Sequence, residues 1–72
     1  MNYYELLNEK AKLGLDELLE YVKSDRNLLF TLTTDDVKDI ILIEIEAWDG
    51  DNYNSEFLCS FEFDSQTRKL LD

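Results

Sequence analysis

The oxygen-rich stretch DGDNYNSE, Asp49 to Glu56, is where this sequence comes nearest to a metal site. Asp49, Asp51 and Glu56 are hard oxygen donors at the close spacing that calcium favours. A calcium loop of the EF-hand type beginning at Asp49 would also want Asp or Asn where Tyr53 stands, Gly where Asn54 stands and Glu where Ser60 stands. With those departures, Asp49–Asn54 reads as a hairpin turn built on Asp-Gly and Asx chemistry, and no metal or other cofactor is expected.

A second chemistry belongs to paired carboxylates. Glu44 and Glu46 lie two apart, on one face if the segment is a strand, and Glu62 would lie across from them. Two such groups can divide acid and base duties when a cleft desolvates one of them. A single sheet in 72 residues leaves little room for that cleft. The lone cysteine, Cys59, falls by strand parity among Phe57, Phe61 and Phe63, which makes it a small core residue with nothing nearby to lower its pKa. Histidine is absent, which removes imidazole ligands, bases and the Ser-His and Cys-His nucleophile pairs. No phosphate-binding loop is available either, because Gly14 and Gly50 are the only glycines. The expectation is a protein that is not an enzyme.

Size and composition bound the rest. One domain, residues 1–72, is expected, and a chain this short builds a thin core. At 44% hydrophobic, with two glycines and no proline, it has the composition of a folded domain. One cysteine excludes a disulfide framework, no apolar run approaches a bilayer span, and MNYYELLNEK lacks the pattern of a signal peptide, so a cytoplasmic location is expected. The net charge of −10 is unevenly placed: residues 35–64 carry ten acids against Lys38 alone. Such a surface repels nucleic acid and anionic membrane and attracts a basic protein surface.

The elements that would position these acids follow from hydrophobic period. Tyr4, Leu7, Ala11, Leu15, Leu18 and Val22 trace one face of a helix over residues 3–24, with Asn2 as N-cap and Glu5 at the capping-box spacing. Gly14 either sits inside one long helix or ends a first one, and the unbroken phase of the stripe favours one helix. Ser24–Asn27 is a stop and turn. Leu28–Thr34 alternates as a strand, Thr34–Asp39 turns, with Thr34 a candidate cap, and Ile40–Trp48 is a strand with Ile41, Ile43, Ile45 and Ala47 on one face. Ser55–Phe63 is the next strand, with Phe57, Cys59, Phe61 and Phe63 inward and Leu58, Ser60 and Glu62 outward. After a turn at Asp64–Thr67, Arg68–Leu71 offers a short fourth strand. The fold expected is α+β: an N-terminal helix, broken or not at Gly14, on one face of a three- to four-stranded antiparallel meander.

The outward sheet face would then hold Glu44, Glu46, Trp48 and Glu62, with Leu42 and Leu58 at its margin. Antiparallel sheets often leave one face wet, so plain solvation is the simplest account. Against it, like charges opposite one another across strands cost stability, and an exposed Trp among Leu residues inside a charged rim has the composition of a binding hot spot. A separate stripe of Leu6, Leu13 and Leu19 with Tyr3 and Tyr21 widens the apolar side of the helix, which either contacts a second copy in a homodimer or packs on the fourth strand.

In its size, its acid-rich DDVKDIILIEIEAWDGDNYNSEFLCSFEFD and its lack of histidine, the chain resembles the small acidic inhibitors that phages and mobile elements direct against host defence, the anti-CRISPR and DNA-mimic anti-restriction proteins. The resemblance is one of style and carries no motif. It implies a cytoplasmic inhibitor that blocks a basic, nucleic-acid-binding surface of a partner protein or nuclease complex, without binding nucleic acid itself. On that reading the partner-binding candidates are Asp35, Asp36, Asp39, Glu44, Glu46, Asp49, Asp51, Glu56 and Glu62, with Trp48 and Tyr53 adding apolar anchoring. The alternatives are a small homo-oligomeric assembly module and an immunity protein that neutralises a nuclease toxin. The closing EFLCSFEFDSQTRKLLD is also similar to the terminal hairpin of PepSY-like domains, which implies a hairpin over Phe57–Leu71; those domains usually carry Gly at the turn, where Arg68 follows Thr67 here.

Overall fold

Asn2 caps the first helix as its residue type predicts, its side-chain oxygen accepting the Glu5 N–H at 2.9 Å. From there the computed structural model, which describes residues 2–48 and 54–71, runs through two helices and three strands. These are α1 (Tyr3–Leu13), α2 (Leu15–Ser24), β1 (Leu28–Asp35), β2 (Ile40–Trp48) and β3 (Ser55–Asp64). The strands form one open antiparallel sheet in the order β1-β2-β3, with α2 packed over β1 and α1 over β3. The fold is the expected α+β arrangement. Among the described residues, no helix is long and apolar enough to cross a membrane.

The expectation of one continuous helix is corrected at Gly14, which has φ 127° and ψ 167°. That region is open only to glycine. The break is invisible to periodicity because Leu7 and Ala11 in α1 and Leu15, Leu18 and Val22 in α2 still share one buried side. What ends the helical ladder is a change of partner: the Leu15 N–H donates to the Arg68 carbonyl at 2.9 Å.

Arg68 belongs to the terminal segment, which is strapped across this junction. The Asp64 carboxylate accepts the Gln66 and Thr67 N–H groups at 2.8 and 2.9 Å, and the Leu71 N–H reaches the Glu62 carbonyl at 2.9 Å. The expected fourth strand over Arg68–Leu71 reduces to a single bridge, Phe63 with Leu70. Arg68 stands at φ 62°, in the left-handed region, at the position where the resembled hairpin usually has glycine. Its guanidinium holds both Asp16 oxygens through Nε at 3.1 Å and Oδ1 through Nη2 at 2.7 Å.

The core is the helical stripe set against Leu28, Ile41, Ile43, Ile45 and Phe63, with no polar side chain buried among the described residues. Tyr4, expected on that stripe, is exposed, and its neighbour Tyr3 packs against the core instead. The Tyr3 and Tyr21 hydroxyls both donate to Asp25 Oδ2, at 3.1 and 3.3 Å, fastening the start of α1 to the end of α2. At the β1–β2 hairpin, Asp35 rather than Thr34 caps the loop: its Oδ1 accepts the Val37 and Lys38 N–H groups at 3.1 Å each. Thr34 is still in the strand.

The largest correction concerns β3. Its pairing with β2 shifts between Ile45 and Glu46, so that Ile45 faces Cys59 while Glu46 faces Phe57. Leu58 is the extra residue of this bulge. It packs against the core with Cys59, and Phe57 turns to the opposite face, the reverse of the expected assignments for both.

Two predictions follow from the junction and its strap. Gly14→Ala forces a side chain into a glycine-only conformation, although its Cβ would meet only ordinary van der Waals distance at the Arg68 oxygen, 3.6 Å away. The expected loss is about 1–3 kcal/mol of unfolding free energy, read from urea midpoints. The acid limb of stability has a definite sign as well. Hydrogen bonds from Arg68 hold Asp16, and backbone N–H groups of Thr67 and Gln66 hold Asp64, below the ordinary carboxylate value of 3.8. Groups with lowered folded pKa values stabilise at pH above that value and cease to do so as pH falls through it. Urea midpoints of the wild type should therefore drop below about pH 4, and Asp64→Asn should flatten that drop.

Candidate interaction face

Residues that alternate with the buried isoleucines of β2 point away from both helices, and the two pairings carry that face across the sheet in rows. From one end the rows read Asp35–Ile40–Asp64, Thr33–Leu42–Glu62, Thr31–Glu44–Ser60 and Leu29–Glu46–Phe57, with Trp48 beside Ser55 at the far end. No described helix covers this face, because α1 and α2 occupy the other.

The rows bring Glu44, Glu46, Trp48 and Glu62 onto one surface, as expected, and change their surroundings. The expected opposition of acid to acid across strands does not occur there. Glu44 sits between Thr31 and Ser60, Glu46 between Leu29 and Phe57, and Glu62 opposite Leu42. Each carboxylate therefore meets a hydroxyl or an apolar neighbour directly, and its nearest like charge lies along the strand or on the diagonal, where repulsion is weaker. The Ser55 hydroxyl donates to Glu46 Oε1 at 3.1 Å.

Around Glu46 lie three exposed apolar side chains, of which the bulge turns out Phe57. Phe57 is 55% exposed, Leu29 43% and Trp48 37%. Leu58 was expected at this margin and is replaced by Phe57 and Leu29. Neither replacement could be read from the strands alone: the alternation of Phe57, Cys59, Phe61 and Phe63 looks unbroken, and Leu28–Leu29–Phe30 shows no contrast between faces. The four-residue loop between Asp35 and Ile40 does fix the β1 register, and counting back from it would have set Leu29 opposite Glu46.

Of the remaining described candidates, Asp35 lies at the loop end of this surface and the others separate from it. Asp36 and Asp39 lie in the β1–β2 loop at the Ile40 end, where Asp39 takes φ 57° and its carbonyl accepts the Ser65 N–H at 2.9 Å. The Asp35 carboxylate is engaged in capping that loop. Glu56 pairs with Ala47 and so follows the parity of the helix-covered face. Asp49, Asp51 and Tyr53 lie outside the described residues.

A surface depression near the loop is lined by Thr33, Asp35, Lys38, Ile40, Leu42 and Glu62, and includes neither Glu44 nor Glu46. Among the described residues no three His, Cys, Asp or Glu side chains are grouped to hold a metal ion. Cys59 is half-buried on the core side, and that burial pushes its thiol above the ordinary 9.0. The face presents carboxylates spaced by short neutral side chains, next to an aromatic and aliphatic cluster. The chain matches no protein-family model, no curated protein and no solved structure.

Phe57 tests the assignment of faces. Phe57→Ser should change unfolding free energy by no more than about 0.5 kcal/mol, as for a surface position, whereas Phe63→Ala should cost about 3–5 kcal/mol. A large loss in Phe57→Ser, measured by urea unfolding, would place that ring in the core.

Proposed function

We propose that this protein acts by binding, and that its uncovered sheet face masks a basic, nucleic-acid-binding surface of a partner protein. The observation that carries the reading is the composition of that face: Glu44, Glu46 and Glu62, with neither Lys nor Arg in any of its rows and Lys38 beside its loop end. Much of the affinity of a nucleic-acid-binding protein comes from Lys and Arg contacts to phosphates, and carboxylates held on a rigid sheet compete for the same cations. Leu29, Trp48 and Phe57 supply apolar burial that charge alone lacks, and such central aromatic anchors carry much of the energy in protein interfaces. Inhibition of a nucleic-acid-handling defence complex, in the manner of anti-CRISPR proteins, fits this reading, as does neutralisation of a nuclease toxin. Both use one mechanism, exclusion of nucleic acid from a basic channel.

The test is capture on immobilised protein from a bacterial lysate, with stepped salt elution and duplex DNA or RNA as competitor. A basic nucleic-acid-handling protein should be retained, released by salt and displaced by the competitor. Glu44→Lys with Glu46→Lys should weaken its retention by about tenfold or more while the circular dichroism spectrum stays unchanged. Equal retention by the double variant would overturn the reading.

A further inference from the structure

The edge of the sheet formed by β1 carries a feature that the acidic face does not explain. Asn27–Thr34 is the longest run without a charged residue in a chain of net charge −10, and it coincides with an exposed strand edge. Natural edge strands are usually protected by charges, proline or bulges. Between Leu28 and Thr34, β1 has no charge and no proline, and its pairing with β2 is regular throughout.

The direction of its free backbone groups can be derived. The Trp48 N–H donates to the Asn27 carbonyl at 2.7 Å, which makes Asn27 and Trp48 a hydrogen-bonded pair. Antiparallel pairing alternates, so Leu29, Thr31, Thr33 and Asp35 also bond toward β2. Leu28, Phe30, Leu32 and Thr34 therefore aim their N–H and C=O groups outward from the sheet; of these, the Leu28 N–H is taken by the Asp25 carbonyl at 3.2 Å. Leu32 belongs to the helix-side face by parity, yet it is 40% exposed, so the helices leave this corner uncovered.

We infer that β1 is a self-pairing edge: two copies join antiparallel, β1 to β1, as one continuous six-stranded sheet. The occupant is a second copy because one register satisfies every constraint at once. Centring the two-fold axis on Thr31 sets Phe30 against Leu32 of the other copy, Leu28 against Thr34 and Leu29 against Thr33. The outward-aimed backbone groups then meet one another, and Phe30 covers the exposed Leu32. Asp35 falls just beyond the other copy's β1, which begins at Leu28, so no acid is set against a strand residue. Sliding the axis to Phe30 would shorten the paired run to Leu28–Leu32, and sliding it to Leu32 would set Asp35 against Leu29. The helices of both copies stay on the same side, because directly opposed residues share a face.

The charge of each copy does not forbid this pairing. Adjacent strands lie about 4.8 Å apart, so the two β2 strands, with their Glu44 and Glu46, stand about 14 Å from each other. That exceeds the screening length of about 8 Å at physiological ionic strength. The seam itself runs from Leu28 to Thr34, none of them charged. The inference does not rest on the masking function, because the outward backbone groups of β1 make the pairing, although Leu29 lies in both surfaces.

Sedimentation of the full chain from micromolar to millimolar concentration should show a monomer–dimer equilibrium. Salt should strengthen it, because two like-charged copies approach, whereas salt would release a basic partner. Amide exchange should slow at Phe30, Leu32 and Thr34 as concentration rises, with Leu29, Thr31 and Thr33 protected throughout. Leu32→Pro removes an outward N–H and no bond to β2, a substitution that edge strands tolerate, and should weaken association by about tenfold or more. Thr31→Cys in a Cys59→Ala background brings two thiols to opposed Cα positions about 4.5 Å apart, within disulfide reach, and should crosslink on mild oxidation much faster than Thr33→Cys. A monomer at millimolar concentration overturns the inference, as does a dimer in which those three amides exchange freely or Thr33→Cys crosslinks as readily as Thr31→Cys.

Discussion

Everything in this molecule depends on one apolar contact, the helical stripe of Leu7, Ala11, Leu15, Leu18 and Val22 pressed onto Ile41, Ile43, Ile45 and Phe63. A sheet has two faces, and this chain has only enough helix to cover one of them. Burial of ten apolar side chains on a single side is the main favourable term for a domain this small. The opposite face is therefore left to water, and its composition is free to answer to something other than packing. That division of labour is why the acids of the second half of the chain can gather on the sheet without entering the core.

The Leu58 bulge refines the division. Adding one residue to β3 reverses the parity of everything before it, so Leu58 joins Cys59 against the core and Phe57 is turned out beside Glu46. The same device sets the apolar cluster next to the acids rather than behind them. An apolar patch without the neighbouring carboxylates would invite nonspecific association, and carboxylates without the patch would bind any cationic surface weakly.

How much of this the sequence discloses depends on the physics of each element. The strands over Ile40–Trp48 and from Ser55 onward, the Asn2 cap and the helical stripe were legible because period and capping are local. The Gly14 break was not, because it keeps the stripe in phase and its cause, the Arg68 carbonyl, lies at the other end of the chain. Tyr3 rather than Tyr4 packs against the core, its hydroxyl bonded to Asp25, again a long-range partner. The bulge escaped because a regular run of aromatics hides a change of pairing that only β2 can impose. Of the candidate face, Glu44, Glu46, Trp48 and Glu62 were placed together correctly from parity, while Leu29 and Phe57 needed the cross-strand register, and Glu56 moved away with the bulge.

The terminal strap has an effect reaching past the single molecule. By bonding Leu71 and Lys69 to the Glu62–Asp64 end of β3, it occupies backbone groups on the sheet's second edge, and the bulge further along distorts what is left. An open sheet with two usable edges can add copies without limit and become a fibre; one with a single usable edge, joined about a two-fold axis, closes after the first addition. A few residues after the last full strand thus shield the Glu62–Asp64 stretch of that edge from pairing with another chain, while β1 keeps its edge without charge.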